Sequence, residues 1–124
     1  MEVLGSRVLL RPADPAASTT FYRDVLGLAV AREFPGGTVF FAGQTLLEVS
    51  SHAAGDGAGS TSLWLQVRDL DATHAELAAA GVVFDRGPRT EPWGLREAWL
   101  RDPDGVAVVL VEVPAGHPLR TDTR

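Results

Sequence analysis

Cysteine and lysine are both missing from these 124 residues, and all eleven basic side chains are arginine. Without cysteine there is no disulfide, no thiolate nucleophile, no iron–sulfur cluster and no cysteine-ligated zinc. Without lysine there is no Schiff base, no pyridoxal-phosphate anchor and no Walker-type phosphate lysine. Histidine is scarce as well: His52, His74 and His117 are the whole supply. No serine lies in G-x-S-x-G, so the hydrolase nucleophile elbow is excluded. No apolar run approaches the roughly 18 residues of a membrane span. The start, Met1-Glu2-Val3-Leu4, carries no basic n-region, so no signal peptide is expected and the chain reads as cytoplasmic. The net charge of -5 disfavours nucleic acid, whose phosphates want a basic face.

What is present fits one folded domain. The hydrophobic fraction is 45%, too high for a disordered chain. Residues 3–11 read as a strand. Asp14-Pro15 is a helix start, because the carboxylate accepts from orphan amides and proline suits the first helical position. Ala17, Phe21, Val25 and Leu28 follow at near-helical spacing, and Gly27 is the stop. Residues 28–34, 38–42 and 45–50 read as three strands, the first two separated by Pro35-Gly36-Gly37. Residues 51–60, SHAAGDGAGS, are small, polar and glycine-rich, as a connector would be.

The second half repeats the first. Residues 63–67 form a strand, Asp69 is a second helix cap, and Gly81 is a second stop. Residues 82–84, 94–101 and 106–113 are read as strands. Asp102-Pro103-Asp104-Gly105 is a strong turn before the last of them. The tail, 114–124, is expected to fray. The order is βαβββ twice. The expected fold class is therefore α+β, with two tandem βαβββ modules forming curved, barrel-like mixed sheets around a cleft. The modules are 1–50 and 61–113, joined by the 51–60 linker within one domain.

Two segments carry a resemblance. Phe21-Tyr22-Arg23-Asp24-Val25-Leu26-Gly27-Leu28 resembles the helix signature of the vicinal-oxygen-chelate superfamily, which includes glyoxalase I, extradiol dioxygenases, and fosfomycin- and bleomycin-resistance proteins. Arg101-Asp102-Pro103-Asp104-Gly105 resembles its second signature, the turn before the final strand. The resemblance spans roughly residues 3–113. Enzymes of that superfamily hold a divalent metal with four ligands. The resemblance places those positions at Arg7, Glu48, Ser62 and Val109. Arginine stays protonated and cannot ligate, valine has no donor atom, and serine is a poor ligand for zinc or iron. None of the three histidines falls on a first-strand position of either half. No metal, no cofactor and no catalytic residue is therefore expected.

The residues expected to line a ligand site are of two kinds. Arg7 and Glu48 would face each other where the metal would sit, as an ion pair able to hold a polar group. Ser62 and Trp64 alternate on the fifth strand and share a face. Trp93, Trp99 and Phe40 supply further aromatic surface for a flat or cationic ligand, with Trp99, on the seventh strand, also a candidate for the core. Phe40 and Phe41 point to opposite faces, so one of them can reach a cavity. Leu9 and Val109 complete the set. Trp64 to Val67 and Gly94-Leu95-Arg96-Glu97 resemble stretches of the bleomycin-resistance-type binders. That resemblance implies a homodimer whose clefts sequester an aromatic or extended natural product without turnover. Two alternatives stay open: a metal-dependent glyoxalase- or dioxygenase-like enzyme using Glu48, or a metal-free enzyme with Glu48 as base.

Overall fold

The computed structural model describes residues 1–51 and 61–121. The connector expected at 51–60 lies, from residue 52 on, outside the described residues. The chain divides into two compact units, Met1–Thr61 with Asp102–Val106, and Ser62–Arg101 with Ala107–Arg124.

The first unit runs β1 (Val8–Leu10), α1 (Pro15–Thr20), a π-helical turn (Phe21–Val25), β2 (Val30–Phe34), β3 (Gly37–Ala42) and β4 (Thr45–Ser50). Its sheet order is β1-β4-β3-β2, with β1 parallel to β4 and the other pairs antiparallel. Asp14 caps α1 by accepting from the Ala17 amide at 3.1 Å, and Pro15 opens the helix. The helix widens into the π turn, where the Leu26 amide donates to the Phe21 carbonyl at 2.9 Å. Gly27 then ends it at φ 71°, a left-handed conformation glycine adopts freely.

The second unit repeats this plan with β5 (Ser62–Gln66), α2 (Leu70–Ala79), β6 (Arg86–Thr90), β7 (Arg96–Arg101) and β8 (Ala107–Glu112), then a short α3 (Pro118–Thr121). Its sheet order is β5-β8-β7-β6, again with the first pair parallel. Asp69 caps α2 through the Ala72 amide at 3.0 Å. The α+β class and the tandem βαβββ order therefore hold. Both sheets are curved but remain open rather than closing into barrels.

Three local expectations are corrected. The first strand is three residues long, and Val3 and Leu4 before it are exposed. The apolar run Val82-Val83-Phe84 is not a strand: Val83 is exposed, and Phe84 stacks on His74 with ring centroids 4.4 Å apart. The strand is instead Arg86–Thr90, whose Gly87-Pro88 reads as a breaker. Proline survives there because β6 is a sheet edge with a register shift between Arg86 and Arg89. The tail expected at 114–124 carries local structure as far as residue 121, and 122–124 lie outside the described residues. His117 donates its backbone amide to Pro114 (3.1 Å), and α3 follows.

Each sheet has one face packed under its helix. In the first unit Leu10, Phe40, Leu47 and Val49 lie on that face and are buried. Each such side chain contributes about 1.5–3 kcal/mol by leaving water. Tyr22 lies among them, wholly buried, and its hydroxyl donates to Asp102 Oδ2 at 2.7 Å. Burial first, then the Asp102 charge and this hydrogen bond, push the Tyr22 phenol far above its ordinary range. Asp102 Oδ1 accepts the amides of Asp104 and Val106, each at 2.9 Å. Asp104 accepts in turn from the Ala13 amide at 2.9 Å and from Ser18 Oγ at 3.0 Å. The acidic turn thus pins the helix of the first unit.

Candidate functional site: two open sheet faces

Side chains alternate along a strand, and residues paired across strands share a face. The registers therefore define what the face turned away from the helix carries; on the first sheet Leu9 is exposed there, while Val39 and Ser50 are buried. In the first unit a row crosses the sheet as Leu9 (β1), Glu48 (β4), Val39 (β3) and Arg32 (β2). Arg7, just before β1, donates from Nη1 to Glu48 Oε1 at 2.8 Å. Ser50 Oγ reaches Glu48 Oε2 at 3.4 Å. Arg7 is half-exposed while Glu48 is largely covered. The expected pairing of Arg7 with Glu48 is thus present in the structure. Leu9 is on the same face and exposed.

Phe40 is the residue placed wrongly. It is fully buried on the helix side, its ring 6.3 Å from that of Tyr22. Phe41 has the open face instead, since it pairs with Leu46, two residues from Glu48 on β4. Alternation showed that only one of the two could face outward; choosing between them needed the β3–β4 register.

In the second unit the equivalent row reads Trp64 (β5), Val109 (β8), Trp99 (β7) and Arg86 (β6). Trp64 is 50% exposed and Trp99 38%, so Trp99 belongs to the open face and not to the core. Val109 lies between them, half-buried, next to the cluster of Leu95, Val111 and Val113. Trp64 and Trp99 stand two strands apart, roughly 10 Å between backbones. Ser62 lies on the same face, two residues before Trp64, and is exposed. Trp93 sits in the turn before β7 and is 57% exposed.

Two of the tryptophans are tied to Glu97, a residue outside the expected ligand set. Glu97, on β7 and nearly buried, accepts the Trp93 indole N–H at Oε2 (2.9 Å) and the Trp99 indole N–H at Oε1 (3.1 Å). Arg86 covers one face of Trp99, its guanidinium carbon 3.6 Å from the ring centroid. Arg86 also pairs with buried Glu91, which Arg89 approaches at 3.6 Å. The signal available for Glu97 was its spacing: Glu97 and Trp99 are two apart on a strand and so share a face.

At the four positions that the resemblance gives for metal ligands, the donors present do not fit a divalent ion. Glu48 is already engaged by a guanidinium at 2.8 Å, and Val109 offers no donor. Among the described residues, no three His, Cys, Asp or Glu side chains gather in a way that could hold a metal. His74 packs on Phe84, and His117 contacts the Trp93 carbonyl at 3.1 Å. No helix among the described residues is long and apolar enough to cross a membrane.

A family model described as the Glyoxalase/Bleomycin resistance protein/Dioxygenase superfamily matches residues 6–110, and the chain belongs to that superfamily. Among curated proteins none matches. Solved structures agree on the fold. A member of the superfamily from Sphaerobacter thermophilus is 25% identical with a TM-score of 0.74, over 90% of this chain and 98% of that one. TnmS3, an antibiotic binding protein from a Streptomyces species, is 23% identical with a TM-score of 0.74, over 91% and 98%. A lactoylglutathione lyase from Agrobacterium tumefaciens is 21% identical with a TM-score of 0.71, over 90% and 95%. The same backbone thus hosts a binder and an enzyme, and function has to be argued from the side chains.

Proposed function

We propose that this protein binds and sequesters a planar aromatic small molecule, of the natural-product antibiotic kind, without a metal and without turnover. The observation that carries the reading is the row Trp64–Val109–Trp99 on the open face of the second sheet. Two indoles flank an apolar floor, and a flat ring system laid over Val109 meets aromatic surface on both sides. At the ligand positions where superfamily enzymes need donors, this chain has an arginine, a serine and a valine. Its one carboxylate there, Glu48, is paired with Arg7. That TnmS3 binds an antibiotic on the same fold adds support. The chain works as a homodimer in this reading, with Arg7, Leu9, Glu48, Ser62, Trp64, Trp93, Trp99 and Val109 lining the ligand sites.

Tryptophan-fluorescence titration against a panel of planar aromatic antibiotics tests this, with mass analysis of the recovered compound and size-exclusion chromatography of the complex. Saturable quenching with unaltered compound, equal in the presence of a chelator, is the expected result. Conversion of any panel member, or binding only after zinc, iron or nickel is added, rejects it.

A further inference from the structure

Glu97 holds more than its own place on β7. Each of its carboxylate oxygens accepts one indole N–H, Trp93 at 2.9 Å and Trp99 at 3.1 Å. A carboxylate is the only side chain that accepts at both terminal oxygens and carries charge into both bonds. Glu97 is 6% exposed, so water does not compete freely for these oxygens. Both indoles keep substantial ring surface in the open while their N–H groups point inward. Trp93 is held a second time through its backbone: its carbonyl meets His117 Nε2 at 3.1 Å, and the His117 ring sits against Gly94. Gly94 has φ 91°, so the turn presenting Trp93 depends on a conformation that favours glycine.

We infer that Glu97 is a positioning residue that fixes the ring planes of Trp93 and Trp99 before a ligand arrives. This role rests on the aromatic-binding reading above for its purpose, though not for its geometry. An indole has two rotatable bonds, and an untethered one loses that freedom when a ligand stacks on it. Two charge-assisted bonds to one buried carboxylate remove this freedom in advance. Trp64 is the internal contrast, because among the described residues its indole N–H has no hydrogen-bond partner.

Hydrogen exchange of the three indole N–H resonances in the ligand-free protein tests the inference directly. Trp93 and Trp99 should exchange at least about tenfold more slowly than Trp64, as expected for charge-assisted hydrogen bonds. Glu97→Gln keeps one acceptor oxygen and turns an amide donor toward the other indole. It should release one of the two resonances to the Trp64 rate. Equal exchange of all three in the wild-type protein overturns the inference, with no variant required. So does a folded Glu97→Gln protein whose indole exchange is unchanged. Trp93→Phe removes one N–H and keeps an aromatic ring; Trp99 should then stay protected, and its release would also count against the inference. Binding of the aromatic panel is read separately. Protected indoles in a protein that binds no panel member leave the positioning intact and reject the function it serves. Binding with unprotected indoles does the reverse.

Discussion

The two sheets share one topology and carry opposite chemistry at matching places. Leu9, Glu48, Val39 and Arg32 cross the first; Trp64, Val109, Trp99 and Arg86 cross the second. A carboxylate, Glu48, sits inside the first row, and apolar Val109 takes its place in the second. Where the first sheet has aliphatic neighbours, the second has indoles. A duplicated scaffold thus offers one face suited to a polar group and one suited to a flat ring. The difference lies in three side chains, since both rows end on an arginine, and not in the backbone.

The helices differ too, and breaking their anchors should give the largest effect. Asp102 serves three donors: the Tyr22 hydroxyl and the amides of Asp104 and Val106. In the second unit, Glu112 accepts one, the Leu70 amide at 2.8 Å. Asp102→Ala should cost about 3 kcal/mol or more, because it strands buried donors. Glu112→Ala should cost about 1 kcal/mol, as for loss of a helix cap. Urea denaturation measures both, and equal losses would mean the two helices are held alike.

The next effect separates the faces by affinity. Trp99→Ala should weaken aromatic-ligand binding by about 2 kcal/mol, roughly thirtyfold. Leu9→Ala in the first row should change it by less than about threefold. Fluorescence or calorimetric titration decides, and an equal loss at Leu9 would move the ring site to the first sheet. A smaller effect comes from giving the second row the charge of the first. Val109→Glu puts a carboxylate between the two indoles and should cost about tenfold in binding, through desolvation of that charge. The least effect is expected at Arg7→Ala, within about 1 kcal/mol of wild-type stability, because the pair is half-open to water.

Much of this was legible in the sequence, for identifiable reasons. Asp14 and Asp69 announced both helices because a capping carboxylate acts within three residues, and the structure has each bond in place. Thr45–Ser50 was legible to the residue because turn signals bound it. Interactions set by register were harder to see. Phe40 and Phe41 are adjacent and chemically alike, and only the pairing of β3 with β4 decides which is covered. Edge strand β6 was hidden by Gly87 and Pro88, because the tolerance of an edge for proline is a property of the sheet. Glu97 showed no local signal of burial. What holds it are indole N–H groups four residues before and two after, brought together by a turn.

The docking of Tyr22 on Asp102 has a consequence that follows from the missing lysine and cysteine. Tyr22 is the only tyrosine in the chain. With lysine and cysteine both absent, its phenol is the one side chain in the sequence whose ordinary pKa lies near 10. Folded, that phenol is held well above its ordinary value near 10. Unfolded, it ionises near 10, so stability is complete below that pH and declines as the pH rises beyond it. Tyrosinate absorbance in alkaline solution is therefore a one-residue optical gauge: each ionised phenol counts a molecule whose acidic turn has come away from its helix.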